Sequence, residues 1–198
     1  MHAFITLKEH YDYLDTLLKK KPRAVLIASF GIYAGITHEG VDWETKYPTL
    51  TRRFLESLKS INEVMLLIGV GDYKSCKGKN VICKDCERAY VNQLIRLLNH
   101  RDLFPNFKWK VSLQAHAKCT LCISDHDILG VAGGRNLNDS SAIDVTFPID
   151  SAVSAQLLKH IMPIWKKAMP LSEDSLDKIL AIQNISHATS DAMISKPF

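Results

Sequence analysis

His116 and Lys118 stand two positions apart, and a Gly133-Gly134-Arg135-Asn136 run follows downstream. Residues two apart on an extended strand share a face, so an imidazole and an ammonium would point the same way. Cys119–Ile123 and Ile128–Ala132 are short apolar runs split by Ser124-Asp125-His126-Asp127, the pattern of a β-hairpin. Asn136 falls just past the second run, so the hairpin returns its carboxamide to the end where His116 and Lys118 begin. Lys118 brings charge, Asn136 brings neutral donors, and His116 is able to act as nucleophile or acid/base. That combination suits an anion on which chemistry is done.

The same residues carry a family resemblance. His116-x-Lys118, a hairpin and Gly133-Gly134-x-Asn136 are together similar to the HxKx4Dx6G(S/G)xN signature of the phospholipase D superfamily. Asp144, in Ala-Ile-Asp-Val-Thr-Phe, sits where many members carry an acidic residue that orients the catalytic histidine. The chain departs from the signature in three places. Ile123 occupies the position of the family aspartate, the hairpin is three residues longer, and Gly134 replaces the more usual serine. Asp125 and Asp127 are the nearest carboxylates; they either shape the turn, as aspartates in hairpins do, or assist the chemistry.

The resemblance implies an α/β fold, a phospholipase D-like mixed sheet flanked by helices. It implies attack on a phosphodiester by His116 to give a phosphohistidine, with Lys118 and Asn136 on the non-bridging oxygens. Gly133, Gly134 and Arg135 would line the substrate. No catalytic metal is required, because fixed donors stabilise the transition-state charge and covalent catalysis splits the displacement in two. Family members take a second histidine, from a second HxK, to protonate the leaving oxygen. Here there is one HxK: His126, His100 and His38 are not followed by lysine at the required spacing. One chain therefore offers half a site. A two-fold homodimer with facing His116 residues is expected, with Asp144 holding the tautomer of each.

The elements that must position these residues read as follows. Thr6–Lys19 has an amphipathic helical pattern with Thr6 able to cap it, and Lys19-Lys20-Lys21 suits its C-terminal end. Ala24–Phe30 is a buried-strand run opening into Gly31-Ile32-Tyr33-Ala34-Gly35. No Gly-Lys-Ser/Thr follows, so it is not a P-loop; the glycines fit a turn or an active-site entrance. Tyr33 and Trp43 suit either base stacking or packing. Pro48–Ile61 is expected to be a helix with proline near its first turn, and Glu63–Val70 a second buried strand, giving a βαβ unit. Asp85 is expected to cap a helix over Glu87–Asn99. The loop Asp102–Asn106 then leads to an alternating strand over Phe107–Val111. A helix is expected from Pro148-Ile149-Asp150 through Trp165, kinked at Pro163. A last helix spans Ser172–Gln183, and a loose tail follows from about residue 184.

Cys83 and Cys86 form C-x2-C, and Cys76 adds a third nearby thiol. This set suits three ligands of a tetrahedral structural zinc, with His100, Cys119, Cys122 or His38 as fourth. Free thiols or a redox pair are the alternatives. Some single-motif nucleases of the superfamily carry a zinc-binding insert in about this place. Lys74, Lys77, Lys79 and Lys84 would give such an insert, at about 72–88, a positive rim able to steer a polyanion.

At 198 residues, the chain suits one catalytic domain over 1–170, with residues 171–198 as a C-terminal helix and tail. A net charge of +4 permits an anionic partner. No stretch is long and apolar enough to span a bilayer, and the N-terminus lacks a signal-peptide pattern. Five cysteines, an odd number, then favour a reducing, cytoplasmic setting. Many short, single-motif relatives cleave DNA or RNA, so the expected activity is a metal-independent endonuclease, a hydrolase acting as a homodimer on nucleic acid. The alternatives are a phosphodiesterase for phospholipid or a small molecule, and a non-catalytic nucleic-acid-binding module with a degenerate site. No membrane anchor is evident.

Overall fold

The computed structural model describes residues 3–4, 6–37, 39–41, 49–71, 84–134, 136 and 145–183, with backbone alone at 41 and 84–86. Its centre is a seven-stranded mixed sheet. In chain order the strands are β1 (Ala24–Ser29), β4 (Glu63–Gly69), β5 (Lys108–Ser112), β6 (Cys119–Ile123), β7 (Ile128–Gly133), β8 (Thr146–Ile149) and β9 (Met169–Pro170). The order across the sheet is β8-β7-β6-β1-β4-β5-β9. The strands β1, β4 and β5 are mutually parallel, and the rest join antiparallel. A separate two-stranded pair, β2 (Ile36–Thr37) and β3 (Gly40–Val41), follows the loop after β1.

β1 is apolar along nearly its whole length because both its faces are covered, as parallel central strands require. On one face Val25, Ile27, Val64, Leu66 and Ile68 pack against four helices: α1 (Leu7–Leu18), α2 (Leu50–Ser57), α3 (Lys84–Leu103) and α5 (Glu173–Ile182). On the other, Leu26, Ala28, Met65, Leu67 and Leu121 meet Ile161 and Trp165 of α4 (Ser151–Lys167). Burying these side chains is the main favourable term in folding, about 1.5–3 kcal/mol for each large one.

Several boundaries differ from the sequence expectation, each for a local reason. α1 matches: Thr6 accepts from Glu9 N–H, and Glu9 reaches back in a capping box. α2 is shorter than 48–61. It starts after Thr49, whose hydroxyl accepts from Arg52 N–H, and tightens into a 3-10 turn at Leu58–Ser60. Asp85 is not a cap, because α3 begins at Lys84. The helix also continues through Leu103, since His100 and Phe104 are buried one turn beyond the expected end. Pro148 and Ile149 lie in β8, not in a helix; Asp150 caps α4 by accepting from Val153 N–H at 2.9 Å. α4 runs through Pro163 to Lys167. α5 supplies Leu176, Ile179 and Leu180 to the main core, so residues 171–183 belong to the same folded unit as the sheet. The zinc insert expected at 72–88 falls outside the described residues up to 83; 84–88 are the first turn of α3.

Candidate active site

The hairpin forms in the expected register, with Cys119 opposite Ala132 and Ile123 opposite Ile128. β6 lies directly beside β1, antiparallel to it. The N-terminal end of β6, which follows Lys118, therefore meets the C-terminal end of β1, which precedes Phe30. The strand does not extend back to His116. It begins at Cys119, and the ladder continues one step further through the Gly133 N–H, which donates to the Lys118 carbonyl at 3.2 Å.

His116 is exposed and stacked on the ring of Phe30, with centroids 4.5 Å apart and planes 14° from parallel. The Phe30 N–H donates to Oδ1 of Asn136 at 3.1 Å. That bond fixes the carboxamide: with the oxygen facing the backbone, the amino group is the end left for a ligand. One residue that the motif does not include thus holds both the imidazole and the carboxamide.

Phe30 is itself seated by glycines. A Cβ on Gly69 would lie 1.9 Å from the Ala115 carbonyl oxygen and 2.9 Å from Phe30 Cδ2. A Cβ on Gly71 would lie 3.0 Å from Phe30 Cζ. The bare end of β4 therefore lets the Phe30 ring and the Ala115–His116 backbone lie close. Gly31 follows at φ 94°, a left-handed turn that glycine permits.

Lys118 and Asn136 line one small polar cavity of about 20 Å³, together with His10, Ser29, Thr120 and Thr146. This volume suits a single water molecule. His10 is buried on α1, and its Nδ1 lies 3.0 Å from the Thr146 hydroxyl. The sequence carried one signal for it: His10 shares the helical stripe of Leu7 and Leu14. Phe30 had no comparable signal, since its role depends on which strand neighbours β6.

Gly133 and Gly134 close the turn between β7 and β8. Gly134 N–H donates to the Val145 carbonyl at 3.0 Å, and a Cβ on Gly133 would lie 2.3 Å from that same oxygen. Both glycine N–H groups are therefore used inside the protein. Arg135 and Asp144 lie outside the described residues, so their expected roles keep their basis in sequence alone. Asp127 Oδ1 accepts from its neighbour Ile128 N–H at 2.9 Å, and Asp125 lies 3.6 Å from Arg23 at the far end of the hairpin. Both aspartates thus sit at the turn, a strand's length from His116.

Tyr33 lies beneath the guanidinium of Arg96, with Cζ 5.9 Å from the ring centroid. Its loop is tied to α3 by two bonds. Ala34 N–H donates to His100 Nε2 at 3.1 Å, and Asn99 Nδ2 donates to the Thr37 carbonyl at 2.8 Å. His100 Nδ1 lies 2.7 Å from the Arg96 carbonyl. Since Nε2 accepts, Nδ1 must carry the proton. Burial lowers the His100 pKa to about 4.

These bonds bear on the metal expectation. Both ring nitrogens of His100 are engaged, which removes it as a zinc ligand. Cys119 and Cys122 belong to cores on opposite faces of the sheet, and burial pushes both thiols up to about 12. Among the described residues no group of three His, Cys, Asp or Glu side chains is placed to hold a metal ion. Cys76, Cys83 and the Cys86 side chain lie outside them. Among the described residues, no helix is long and apolar enough to cross a membrane.

No protein-family model matches the chain, and no curated protein matches it. Among solved structures it is similar to TrmBL2, described as an archaeal chromatin protein with a novel mode of DNA binding. The TM-score is 0.46 at 12% identity, covering 85% of this chain and 53% of that one. The chain spans about half the length of that protein.

Proposed function

We propose that the protein is a metal-independent phosphodiesterase of phospholipase D type, an endonuclease acting on DNA or RNA through a phosphohistidine on His116. The observation that carries this reading is the convergence at the β1–β6 junction. An exposed imidazole lies on Phe30, Phe30 N–H holds the Asn136 carboxamide oxygen, and Asn136 lines one small cavity with Lys118. An in-line attack by His116 Nε2 on phosphorus forms the N–P bond and expels the ester oxygen. Lys118 and Asn136 donors offset the charge on the non-bridging oxygens. A water then cleaves the N–P bond, returning the imidazole and releasing the phosphate monoester.

The leaving oxygen needs a proton, and the sequence supplies a single HxK. In the proposed homodimer the second His116 donates it across the two-fold axis. The exposure of His116 is compatible with such an approach. Asp144 is proposed to hold the His116 tautomer, with Arg135 and Tyr33 on the flanking substrate. Gly133 and Gly134 serve by close approach of β7 to β8, bringing Asn136 into place.

A structural zinc on Cys76, Cys83 and Cys86 remains part of the proposal. With His100 engaged and Cys119 and Cys122 buried apart, His38 is the fourth ligand to test. Zinc content near one per chain, lost in Cys83→Ser and His38→Ala, is the expected result.

The direct test is chemical trapping. Wild-type protein quenched during turnover of a 5′-labelled or 3′-labelled oligonucleotide should carry label in an acid-labile, base-stable bond at His116. Turnover without such an adduct under rapid quench, and unaffected by His116→Ala, would remove the reading.

A further inference from the structure

A second cavity opens on the same edge of the sheet as His116. Its volume is about 280 Å³, and it lies between the turn that ends β5 and the last turn of α4. Leu113, Ile164 and Met169 give it apolar walls, and Ser112, Gln114 and Lys167 are its polar lining. Gln114 and Lys167 are exposed, so a ligand reaches both from solvent. No carboxylate lines it. Lys110 of β5 is used inside the protein: its Nζ donates to the Trp165 carbonyl at 2.9 Å. Lys167 enters none of the ion pairs among the described residues. The Ser112 hydroxyl accepts from Gln114 N–H at 3.1 Å, which leaves its proton to donate.

The register places this cavity in line with the diester site. Ser112 lies opposite Gly69, Ile68 opposite Ser29, and Ala28 opposite Cys119. One sheet edge thus carries the cavity at the end of β5, Phe30 at the end of β1 and Lys118 at the start of β6. β1 is two strand spacings from β5, about 10 Å. The connection is packed in place: Ala115 is buried, its carbonyl lies close against Gly69, and His116 follows on Phe30. Apolar walls with hydrogen-bonding groups at the mouth suit a flat ring with a polar edge. The Gln114 carboxamide offers both a donor and an acceptor, which is what a base edge presents in return. Lys167 adds a cation for a phosphate beside that base. The acyl chains of a phospholipid would need a far longer apolar channel.

We propose that this cavity is a base subsite: it takes one nucleobase of the nucleic-acid strand flanking the bond placed at His116, with Gln114 and Ser112 on the base edge and Lys167 on the adjoining phosphate. The proposal rests on the phosphodiester reading of His116 and names its substrate as a polynucleotide rather than a lone diester. The subsite binds and does no chemistry.

The test separates binding from cleavage. It uses the full-length chain carrying His116→Ala, in which binding is read without turnover. A short single-stranded oligothymidylate, an abasic oligonucleotide of the same length, inorganic phosphate and glycerophosphocholine are added separately in a chelator-containing buffer. The backbone amide resonances of Leu113, Gln114 and Met169 are followed. The oligothymidylate is expected to move them at a concentration at least about ten-fold below each of the other three. Gln114→Ala is expected to weaken oligothymidylate binding about five-fold and to leave the abasic strand unaffected. Lys167→Gln should weaken both strands and lower the salt slope by about one. Both side chains are exposed, so neither change touches the core. Amides that respond as readily to the abasic strand or to phosphate, or most tightly to glycerophosphocholine, overturn the subsite, and that comparison needs no change at the cavity. So does an unchanged oligothymidylate affinity in either variant. Absence of any cleavage by wild type would count against the His116 chemistry and leave the amide titration to decide the subsite.

Discussion

His116 lies flat on Phe30, 4.5 Å between ring centroids. The stack restricts the imidazole to rotation within one plane, and Phe30 in turn rests against the bare backbone of Gly69 and Gly71. The motif therefore depends on a neighbouring strand that contributes nothing to the chemistry. Phe30→Leu is expected to lower kcat about ten-fold with little change in KM, because a loosened nucleophile spends less time aligned. Phe30→Tyr should keep most activity. Gly69→Ala forces a Cβ against the Ala115 carbonyl and should cost about 1–3 kcal/mol of stability, read by urea unfolding, as well as displacing His116. Wild-type kinetics in Phe30→Leu would mean that His116 is positioned by something else.

Asn136→Asp separates the two ends of the carboxamide. A carboxylate oxygen still accepts from Phe30 N–H, so the fold should be retained. The outward donors are replaced by negative charge facing an anionic substrate. Loss of one donor in such a site costs about 10²–10³ in kcat, and the added repulsion should bring the loss to the upper end or beyond. Steady-state rates beside a thermal melt check this; full activity would place Asn136 outside the site.

His100 gives a pH signature. Its pKa falls from about 6.5 unfolded to about 4 folded, so between these values the unfolded chain binds more protons. The stabilisation from keeping it neutral is complete above about pH 6.5 and is lost as pH drops toward 4. The full amount is roughly 3–4 kcal/mol. Urea midpoints at pH 7, 5.5 and 4.5 should fall in wild type and fall less in His100→Gln. Because protonated Nε2 cannot accept from Ala34 N–H, the Tyr33 loop is the part expected to loosen first, visible as faster amide exchange at Ala34. Equal pH slopes in both proteins would assign the acid sensitivity elsewhere.

The strands were legible in the sequence because their composition is extreme. Ala24–Ala28 and Val64–Ile68 are unbroken apolar runs, and only burial on both faces accommodates that. The hairpin was legible from its polar turn, and α1 from its apolar stripe and the capping Thr6. Helix ends were less so. Asp85 resembles a cap by type, yet α3 starts before it, and His100 resembles a ligand by type, yet it satisfies two backbone groups. Such local residues have two uses, and tertiary contact chooses between them. Lys118 and Asn136 were readable as neighbours because the hairpin returns one beside the other. Phe30 was not, since it acts through His116 and Asn136, which are distant in the chain. The short β9, which pairs Met169 with Val111, has no pattern of its own to be read.

The central claim is tested most directly by cleavage of single-stranded and duplex DNA and RNA in excess EDTA, with wild type and His116→Ala side by side. Cleavage that persists in the chelator and disappears in the variant is the expected result. Cleavage that needs an added divalent ion, or that His116→Ala retains, would contradict metal-independent phosphohistidine chemistry at this site.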